Sequence, residues 1–256
     1  MLITIDVGNT SITFGLFKAE KLAHQFRCQS VRERTSDEYA VLLRQMLALQ
    51  NVEAERVDAG IIASVVPPLT DVMVETVRRA FAREPLVVGR NVRSGMSILY
   101  ENPRDVGADR VVNAVAAYDA AKGAVIVVDF GTATTFDCIS EKGEYLGGAI
   151  APGIQISADA LFTRAAKLHP VDMAIPSRVI GKNLPQSMQS GIVYGHAGLV
   201  DGVVARIKTE LGGTCLVIGT GGLARLIAPL TKAIDRVDES LTLQGLRLVY
   251  QRNVNP

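Results

Sequence analysis

Two stretches of this chain place an aspartate at the end of an apolar, β-branched run and a glycine two residues later. The segment 125–137 reads VIVVDFGTATTFD, and the segment 2–10 reads LITIDVGNT. In each, a buried strand carries a carboxylate into a tight turn that is followed by hydroxyl side chains, which suits a site beside a phosphate. Because the copies lie about half the chain apart, we interpret them as two phosphate-facing hairpins, one per lobe, that close on a single nucleotide.

The first copy offers groups for a terminal phosphate and for a metal ion. The turn at Gly8 would place backbone N–H groups and the side chains of Asn9 and Thr10 around a phosphate. Asp6 would hold a divalent ion, directly or through water. Taken alone, these residues also fit an ordinary Asp-x-Gly-Asn hairpin turn. The repeat at Asp129 favours the phosphate site.

A third stretch sets a carboxylate beside a guanidinium at a predicted helix start. Pro103 and Gly107 mark a loop, and Asp109 begins an apolar helical pattern that continues through Val112. Asp109 is a candidate proton acceptor, and Arg110 is a candidate partner for a substrate carboxylate. The alternative is an acid favoured by the helix N-terminus next to a solvated arginine.

Strands and helices alternate along the first half of the chain, which predicts an α/β lobe of order β-β-α-β-α-β. The strand at 11–17 should pair antiparallel with the strand at 2–5 and end in a hairpin turn at 18–21. Ser36 is the expected N-cap of the first helix. The remaining predicted elements are a helix at 35–49, a strand at 57–65 ended by Pro67-Pro68, a helix at 71–83 and a strand at 86–88.

The second half repeats the hairpin and adds further helices. Strands are predicted at 125–129, 137–140, 145–150 and 214–218, and helices at 154–166, from the loop at 181–191 through Ile207, at 223–230 and at 241–252. We place the boundary at Lys122-Gly123. This gives an N-terminal lobe at 1–120 and a C-terminal lobe at 121–256, whose final helix at 241–256 can pack across both.

Composition excludes several classes of function. A formal net charge of +1 and the absence of Trp argue against a nucleic-acid partner. Three scattered cysteines with no C-x-x-C pair suggest neither a disulfide framework nor a zinc site, and His169 and His196 have no ligand spacing. Apolar runs break well short of a membrane span and no basic leader precedes the first strand. We therefore expect an unprocessed, soluble, cytoplasmic protein without a membrane partner.

In their order and spacing, seven motifs together resemble a type III pantothenate kinase of the acetate and sugar kinase, hexokinase and actin superfamily. These are DVGNT at 6–10, GADR at 107–110, DFGTAT at 129–134, GAIAPG at 148–153, GKN at 181–183, GTGG at 219–222 and LTLQGL at 241–246. The resemblance implies a two-lobed, duplicated actin-like ATPase (ribonuclease H-like) α/β fold with mixed sheets flanked by helices. It also implies ATP-dependent phosphorylation of pantothenate to 4′-phosphopantothenate, the first step towards coenzyme A, in a homodimer that needs Mg²⁺ or another divalent ion and K⁺ or NH₄⁺.

The resemblance also assigns roles to residues of this sequence. Asp109 takes the place of the proton acceptor, and Asp129 matches the position of the monovalent cation. The implied ATP contacts are Asp6, Val7, Gly8, Asn9, Thr10, Ser11, Ile12, Thr13 and Thr132, and the implied pantothenate contacts are Tyr100, Gly107, Ala108, Asp109, Arg110 and Leu184.

Position 184 departs from the family pattern, which usually has threonine there. Leu184 cannot make the threonine's hydrogen bond, which costs about 1 to 3 kcal/mol unless water or Ser187 substitutes.

Two alternative functions are open: a kinase of another small alcohol such as a sugar, and a nucleotide-bound regulatory or accessory protein that has lost the acceptor site. The charge of Arg110 favours an acceptor that bears a carboxylate.

Overall fold

A computed structural model describes residues 1–90, 92–165 and 168–254. The chain divides into two compact units. The first consists of Met1–Ala116 together with the segment that begins at Leu241, and the second is Ala117–Ser240.

Each unit contains one five-stranded sheet. The strands are β1 (Leu2–Val7), β2 (Ser11–Lys18), β3 (Lys21–Gln29), β4 (Ala59–Ser64), β5 (Leu86–Val87), β6 (Val125–Phe130), β7 (Ala133–Ile139), β8 (Tyr145–Pro152), β9 (Leu216–Thr220) and β10 (Arg236–Val237). The α-helices are α1 (Ser36–Ala48), α2 (Pro67–Phe81), α3 (Ala108–Ala121), α4 (Ile154–Arg164), α5 (Leu184–Leu211), α6 (Ala224–Ile227) and α7 (Leu241–Val254).

The two sheets have the same topology. In the first unit the spatial order is β3-β2-β1-β4-β5, and in the second it is β8-β7-β6-β9-β10. In both, the first three strands of the unit pair antiparallel in chain order, the fourth pairs parallel with the first, and the fifth pairs parallel with the fourth. The predicted duplication therefore extends beyond the acidic turns to the whole mixed sheet, as expected for the duplicated α/β fold.

The first sheet is covered on both faces. On one face α1 and α2 pack through side chains such as Leu43, Leu47 and Met73, all fully buried. On the other face α3 and α7 pack through Val112 and Leu246. Strand β4 contributes Ile62 to the cluster with α1 and α2 and Ile61 to the cluster with α3 and α7, so it is buried on both faces, which explains its continuous apolar character.

Helix α5 forms the apolar core of the second unit with the strands that it covers. Val193, Val200 and Val204 of α5 lie in one buried cluster with Val128 and Phe136 of the central strands. In the described segments, no helix combines the length and the apolar character that crossing a bilayer requires. This includes α5, which is 28 residues long.

Several element boundaries differ from those that the sequence pattern predicts. The N-cap of α1 is Thr35 instead of Ser36, because Thr35 and Glu38 form a reciprocal capping box in which each side chain accepts from the other's backbone N–H. Helix α2 begins at Pro67 rather than Asp71, since a proline at the first helical position loses no hydrogen bond. The prolines that were expected to end a strand therefore start a helix.

The sequence predicts the turn before β3 but not the strand itself, because β3 contains no Val, Ile or Thr and its half-buried positions mix apolar and polar side chains. The short strand β10 was also missed. The predicted helix at 223–230 is α6 followed by a 3₁₀ turn at Ala228–Leu230. Strand β9 starts and ends two residues later than expected. The predicted end of the helix at Ala166 lies outside the described residues.

Candidate active site

Hydrogen bonds close the base of the turn between β1 and β2, and the residues at its tip are exposed. The Gly8 N–H donates to the Ser11 carbonyl at 3.1 Å. Ser30, which follows β3, donates from its N–H to the Thr10 carbonyl at 3.0 Å and from its hydroxyl to the Gly8 carbonyl at 2.6 Å. Asn9 and Thr10 are exposed. The turn therefore presents two polar side chains from a fixed backbone, and Ser30 is a supporting residue that sequence reasoning missed because β3 was missed.

The acids of the two hairpins occupy equivalent places in their sheets. Asp6 lies directly across from Thr13 in the β1–β2 ladder, and Asp129 lies directly across from Thr135 in the β6–β7 ladder. Cross-strand partners have their side chains on the same face of the sheet. In both hairpins a carboxylate and a threonine hydroxyl therefore share one face next to the turn.

In the first unit, a chain of contacts links the Asp6 hairpin to Asp109. The Val65 N–H, just after β4, donates to the Val7 carbonyl at the end of β1 at 3.1 Å. The Val65 side chain in turn lies 3.3 Å from where a Cβ on Gly107 would stand. The carboxyl ends of β1 and β4 thus meet the start of α3, as happens at ligand sites of open α/β sheets.

The position of Gly107 is explained by the Asp109 carboxylate. A side chain at position 107 would bring its Cβ to 2.5 Å from Asp109 Oδ1, so it would force this carboxylate out of its place over the helix start. Asp109 Oδ1 also accepts from the Arg110 backbone N–H at 2.8 Å. The first turn of α3 therefore holds the carboxylate in one orientation.

Burial sets the acidity of Asp109. Desolvation raises the pKa of this carboxyl above its ordinary value, and the N–H and positive charge of Arg110 partly oppose that rise. A raised pKa makes the carboxylate a stronger proton acceptor than a surface aspartate. The environment of Asp109 thus favours a role as a general base.

The other residues of the implied substrate segment differ in exposure. Arg110 is buried, with 8% of its surface exposed, so the alternative of a solvated arginine is wrong. Tyr100 is 37% exposed and lies before the 3₁₀ turn Pro103–Asp105.

In the second unit, the Asp129 carboxylate packs against the turn that follows β9. Gly221 has φ +90°, and a Cβ there would lie 2.4 Å from Asp129 Oδ1. Asp129 pairs in register with Thr220 of the neighbouring parallel strand. The GTGG motif therefore uses glycine to let backbone approach the acid at the carboxyl ends of β6 and β9.

Thr132 lies at the tip of the second hairpin and is exposed. Its carbonyl accepts from the Gly153 N–H at 3.2 Å, and the Gly131 N–H donates to the Ala133 carbonyl at 3.1 Å. A Cβ on Gly153 would lie only 2.2 Å from the Thr132 carbonyl oxygen. The glycine that ends the GAIAPG motif is thus required by the close approach of β8 to this turn.

Leu184 is separate in sequence and element from both hairpins. It is the first residue of α5, whose N-cap Asn183 accepts from the Gln186 N–H at 2.9 Å, and its side chain is 47% exposed. Leu184 and Ser187 lie one turn apart and line the same cavity of about 580 Å³. Ser187 is therefore near enough to offer the hydroxyl that Leu184 lacks.

The donor chemistry of the site suits hard cations that bind with few protein ligands. Within 1–90, 92–165 and 168–254, the structure brings together no group of three or more His, Cys, Asp or Glu side chains that could hold a metal ion. A magnesium ion bound with a nucleotide keeps several waters and needs only one or two carboxylates besides the phosphates. The single carboxylates of Asp6 and Asp129 fit such ions.

Two five-stranded sheets of identical topology, each with an acidic hairpin, define a class of duplicated α/β proteins in which both halves carry the same mixed sheet. The fold matches the crystal structure of an inorganic polyphosphate/ATP-glucomannokinase from Arthrobacter sp. strain KM at a TM-score of 0.53 and 14% identity, over 100% of this chain and 99% of that one. It also matches a ROK hexokinase from Thermus thermophilus at a TM-score of 0.51 and 14% identity, over 100% and 99% of the two chains.

Sequence comparison narrows this class to one family. The model of the family described as type III pantothenate kinase matches residues 2–206. Type III pantothenate kinases from Moorella thermoacetica and Syntrophus aciditrophicus are 54% and 50% identical to this chain, in each case over 99% of this chain and 100% of the relative. The chain belongs to the type III pantothenate kinase family.

Proposed function

We propose that this protein transfers the γ-phosphoryl group of ATP to the terminal hydroxyl of pantothenate, giving 4′-phosphopantothenate, the first step towards coenzyme A. Family membership supports the reaction. The observation that carries the assignment of residues is the contact chain from Val7 through Val65 to Gly107, because it connects a half-buried carboxylate with a raised pKa to the strand ends beside a turn of the phosphate-binding type.

The first hairpin, Asp6 to Thr13, binds the ATP phosphates in this proposal. The rigid turn offers the Asn9 and Thr10 side chains, and Asp6 holds the divalent ion directly or through water. When bound, the divalent ion neutralises charge on the phosphates. Thr132, at the exposed tip of the second hairpin, supplies a further contact to the nucleotide.

Asp129 is the proposed ligand of the monovalent cation, K⁺ or NH₄⁺. Its carboxylate is fixed against the Gly221 turn, and a carboxylate is a suitable donor for a hard cation. This assignment comes from the family position and is compatible with the local geometry.

The pantothenate site is proposed to include Tyr100, the segment from Gly107 to Arg110, and position 184. The guanidinium of Arg110 pairs with the pantothenate carboxylate. Asp109 accepts the proton of the attacking hydroxyl as the oxygen bonds to the γ-phosphorus and the bond to the leaving ADP oxygen breaks. Phosphoryl transfer leaves little covalent work to the protein, so the other residues act by positioning and charge neutralisation.

Two properties of the whole protein complete the proposal. We infer a cytoplasmic homodimer whose ligands are ATP and pantothenate, with no nucleic-acid or membrane partner. The dimer is supported by large apolar side chains of the second unit that are exposed between residues 150 and 184. They are Ile150, Ile156, Leu161, Ile175, Val179, Ile180 and Leu184.

An assay of ADP release tests the reaction. With ATP, magnesium and potassium present, we expect release that depends on pantothenate and that is absent with a panel of sugars and without an acceptor. Release with a sugar instead would identify the acceptor as another alcohol. Nucleotide binding without acceptor-dependent release would indicate a regulatory protein, for which Leu184 is the supporting feature.

A further inference from the structure

His196 makes a buried contact with the second hairpin. Its Nε2 and the Thr134 hydroxyl share a hydrogen bond of 2.8 Å. Thr134 is fully buried and only 6% of His196 is exposed. Burial lowers the pKa of His196, so the imidazole is neutral at neutral pH and has one donor and one acceptor nitrogen.

The imidazole touches both residues that close the hairpin. Phe130 and Thr134 are the last cross-strand pair before the turn. The His196 ring lies against Phe130 with centroids 6.2 Å apart and planes tilted by 54°. One side chain of α5 therefore supports the base of the turn from both strands.

The turn above this pair carries Thr132. At the tip of this turn, the Thr132 carbonyl accepts from the N–H of Gly153, which directly follows β8. The tip and the base of the turn therefore contact different elements. A shift of Thr134 or Phe130 would move Thr132, because only Gly131 and Ala133 separate it from the two closing residues.

We propose that His196 is a positioning residue for the nucleotide: through Thr134 and Phe130 it fixes the second hairpin so that Thr132 meets the phosphates of ATP. The inference rests on the proposed role of Thr132 as a nucleotide contact. His196 lies on α5, outside every motif of the family resemblance. We thereby add it to the residues that determine ATP affinity.

His196→Phe is the most direct test, since it keeps a ring against Phe130 and removes the hydrogen bond to Thr134. Where this hydrogen bond holds the hairpin in the conformation that binds ATP, its loss weakens binding by roughly tenfold. We expect the KM for ATP and the Kd of a fluorescent ATP analogue to rise about tenfold, with a smaller change in kcat and an unchanged KM for pantothenate. His196→Gln, whose amide can reach Thr134, should restore most of the affinity.

The cavity offers a second readout. His196 lines the cavity of about 580 Å³, so a small molecule can reach the place of a deleted ring. We expect added imidazole to lower the raised KM for ATP of His196→Ala and to leave the wild-type value unchanged. We also expect Thr134→Val combined with His196→Phe to be no worse than His196→Phe alone, since the two residues act through one bond.

The matched control is Tyr194→Phe, two residues earlier on α5. This variant removes a 3.0 Å hydrogen bond from the Tyr194 hydroxyl to the Pro176 carbonyl, and that bond involves neither strand of the hairpin. It should bind ATP normally. The proposal is overturned if His196→Phe binds ATP like wild type, if Tyr194→Phe weakens ATP binding equally, or if only the KM for pantothenate changes.

The variant Thr132→Val distinguishes a failure of the proposed Thr132 contact from a failure of the role of His196. If that variant binds ATP normally, the assignment of Thr132 fails and the inference fails with it. If Thr132→Val weakens ATP binding while His196→Phe does not, only the role of His196 is wrong.

Discussion

At the scale of single residues, Asp109 is held by its neighbours in a state suited to accepting a proton. Gly107 gives its carboxylate room, the Arg110 N–H orients it, and burial raises its pKa. The sequence indicated the acid and the helix start. It did not indicate that glycine at 107 is required by the carboxylate two residues later, because that contact depends on the side-chain rotamer of Asp109.

Replacing Asp109 with asparagine tests its role in catalysis. We expect Asp109→Asn to lower kcat by roughly 10² to 10⁴, because the amide keeps the shape but cannot accept the hydroxyl proton. ATP binding, measured with a fluorescent analogue, should be nearly unchanged. Asp105→Asn removes an exposed carboxylate from the preceding loop and is the control. Near-normal turnover in Asp109→Asn would remove Asp109 from this role.

The raised pKa of Asp109 also predicts a pH dependence. Since the base must be ionised, kcat/KM should fall as the pH drops through the raised pKa, so the acid limb should lie above the ordinary aspartate value of about 3.9. A limb at or below that value would contradict the proposed environment.

Stability should respond to the same shift. Because the folded pKa is above the unfolded one, ionisation of Asp109 costs stability as the pH rises through this interval. Asp109→Asn should therefore be at least as stable as wild type at neutral pH, with the difference shrinking as the pH falls through the raised pKa and gone below about pH 4. Urea unfolding at several pH values measures this difference.

Asp129 gives a prediction for the cation. If its carboxylate binds the monovalent ion, Asp129→Ala should lose most of the activation that added potassium gives to the wild type, as measured by titrating potassium at saturating ATP and pantothenate. Choline chloride at equal ionic strength is the control. A wild-type response in the variant would show that the cation binds elsewhere.

At the scale of elements, α7 and α3 are packed at the closest distance that backbones allow. A Cβ on Gly245 of α7 would lie 2.0 Å from the Val112 carbonyl oxygen of α3. The LTLQGL motif, which the sequence offered as part of a family pattern, thus has a structural function as the contact between two helices.

Gly245→Ala should therefore destabilise the protein by about 1 to 3 kcal/mol, because the helices must separate to admit the methyl group. The control is Gly198→Ala on α5, where a Cβ meets nothing within 4 Å. Better helix propensity should make that variant neutral or more stable by up to about 1 kcal/mol. Thermal unfolding of both variants measures the difference, and equal melting temperatures would contradict the packing.

Elements that carried strong local signals were predictable, and those defined by tertiary contacts were not. Strands β1 and β6 followed from β-branched runs that end in acids, and β2 followed from alternating polar and apolar side chains. Strand β3, at the edge of its sheet, has no such run: it contains no Val, Ile or Thr, and its half-buried positions mix apolar and polar side chains. The start of α2 was misplaced because prolines signal both a strand end and a helix start.

At the scale of the whole molecule, chain order and spatial grouping differ at the C-terminus. Leu243, Leu246 and Val249 of α7 lie in one buried cluster with Phe17 and Ile61 of the first unit. The sequence shows that α7 is amphipathic but carries no signal for which sheet it covers. The same limit applies to His196, since the hydrogen bond to Thr134 joins residues 62 positions apart.

The exposed apolar side chains of the second unit give the last prediction, which concerns the oligomeric state. Val179 and Ile180 are 66% and 73% exposed, and five more large apolar side chains between 150 and 184 are also exposed. A contiguous exposed apolar patch is typical of an interface with another protein, and we propose that these side chains form one. If it forms the proposed homodimer, a carboxylate placed there should be buried without a partner and should oppose association.

We therefore expect Ile180→Asp to convert a dimer into a monomer, as measured by light scattering coupled to size-exclusion chromatography. Leu49→Asp, at an 80% exposed apolar residue of the first unit, is the matched control and should remain dimeric. Circular dichroism should show that both variants are folded. A wild-type monomer, or a dimer that survives Ile180→Asp, would contradict this surface as the interface. Leu184, the first residue of α5, is one of these exposed residues and belongs to the proposed pantothenate site. If Ile180→Asp both abolishes the dimer and raises the KM for pantothenate, association and substrate binding are connected.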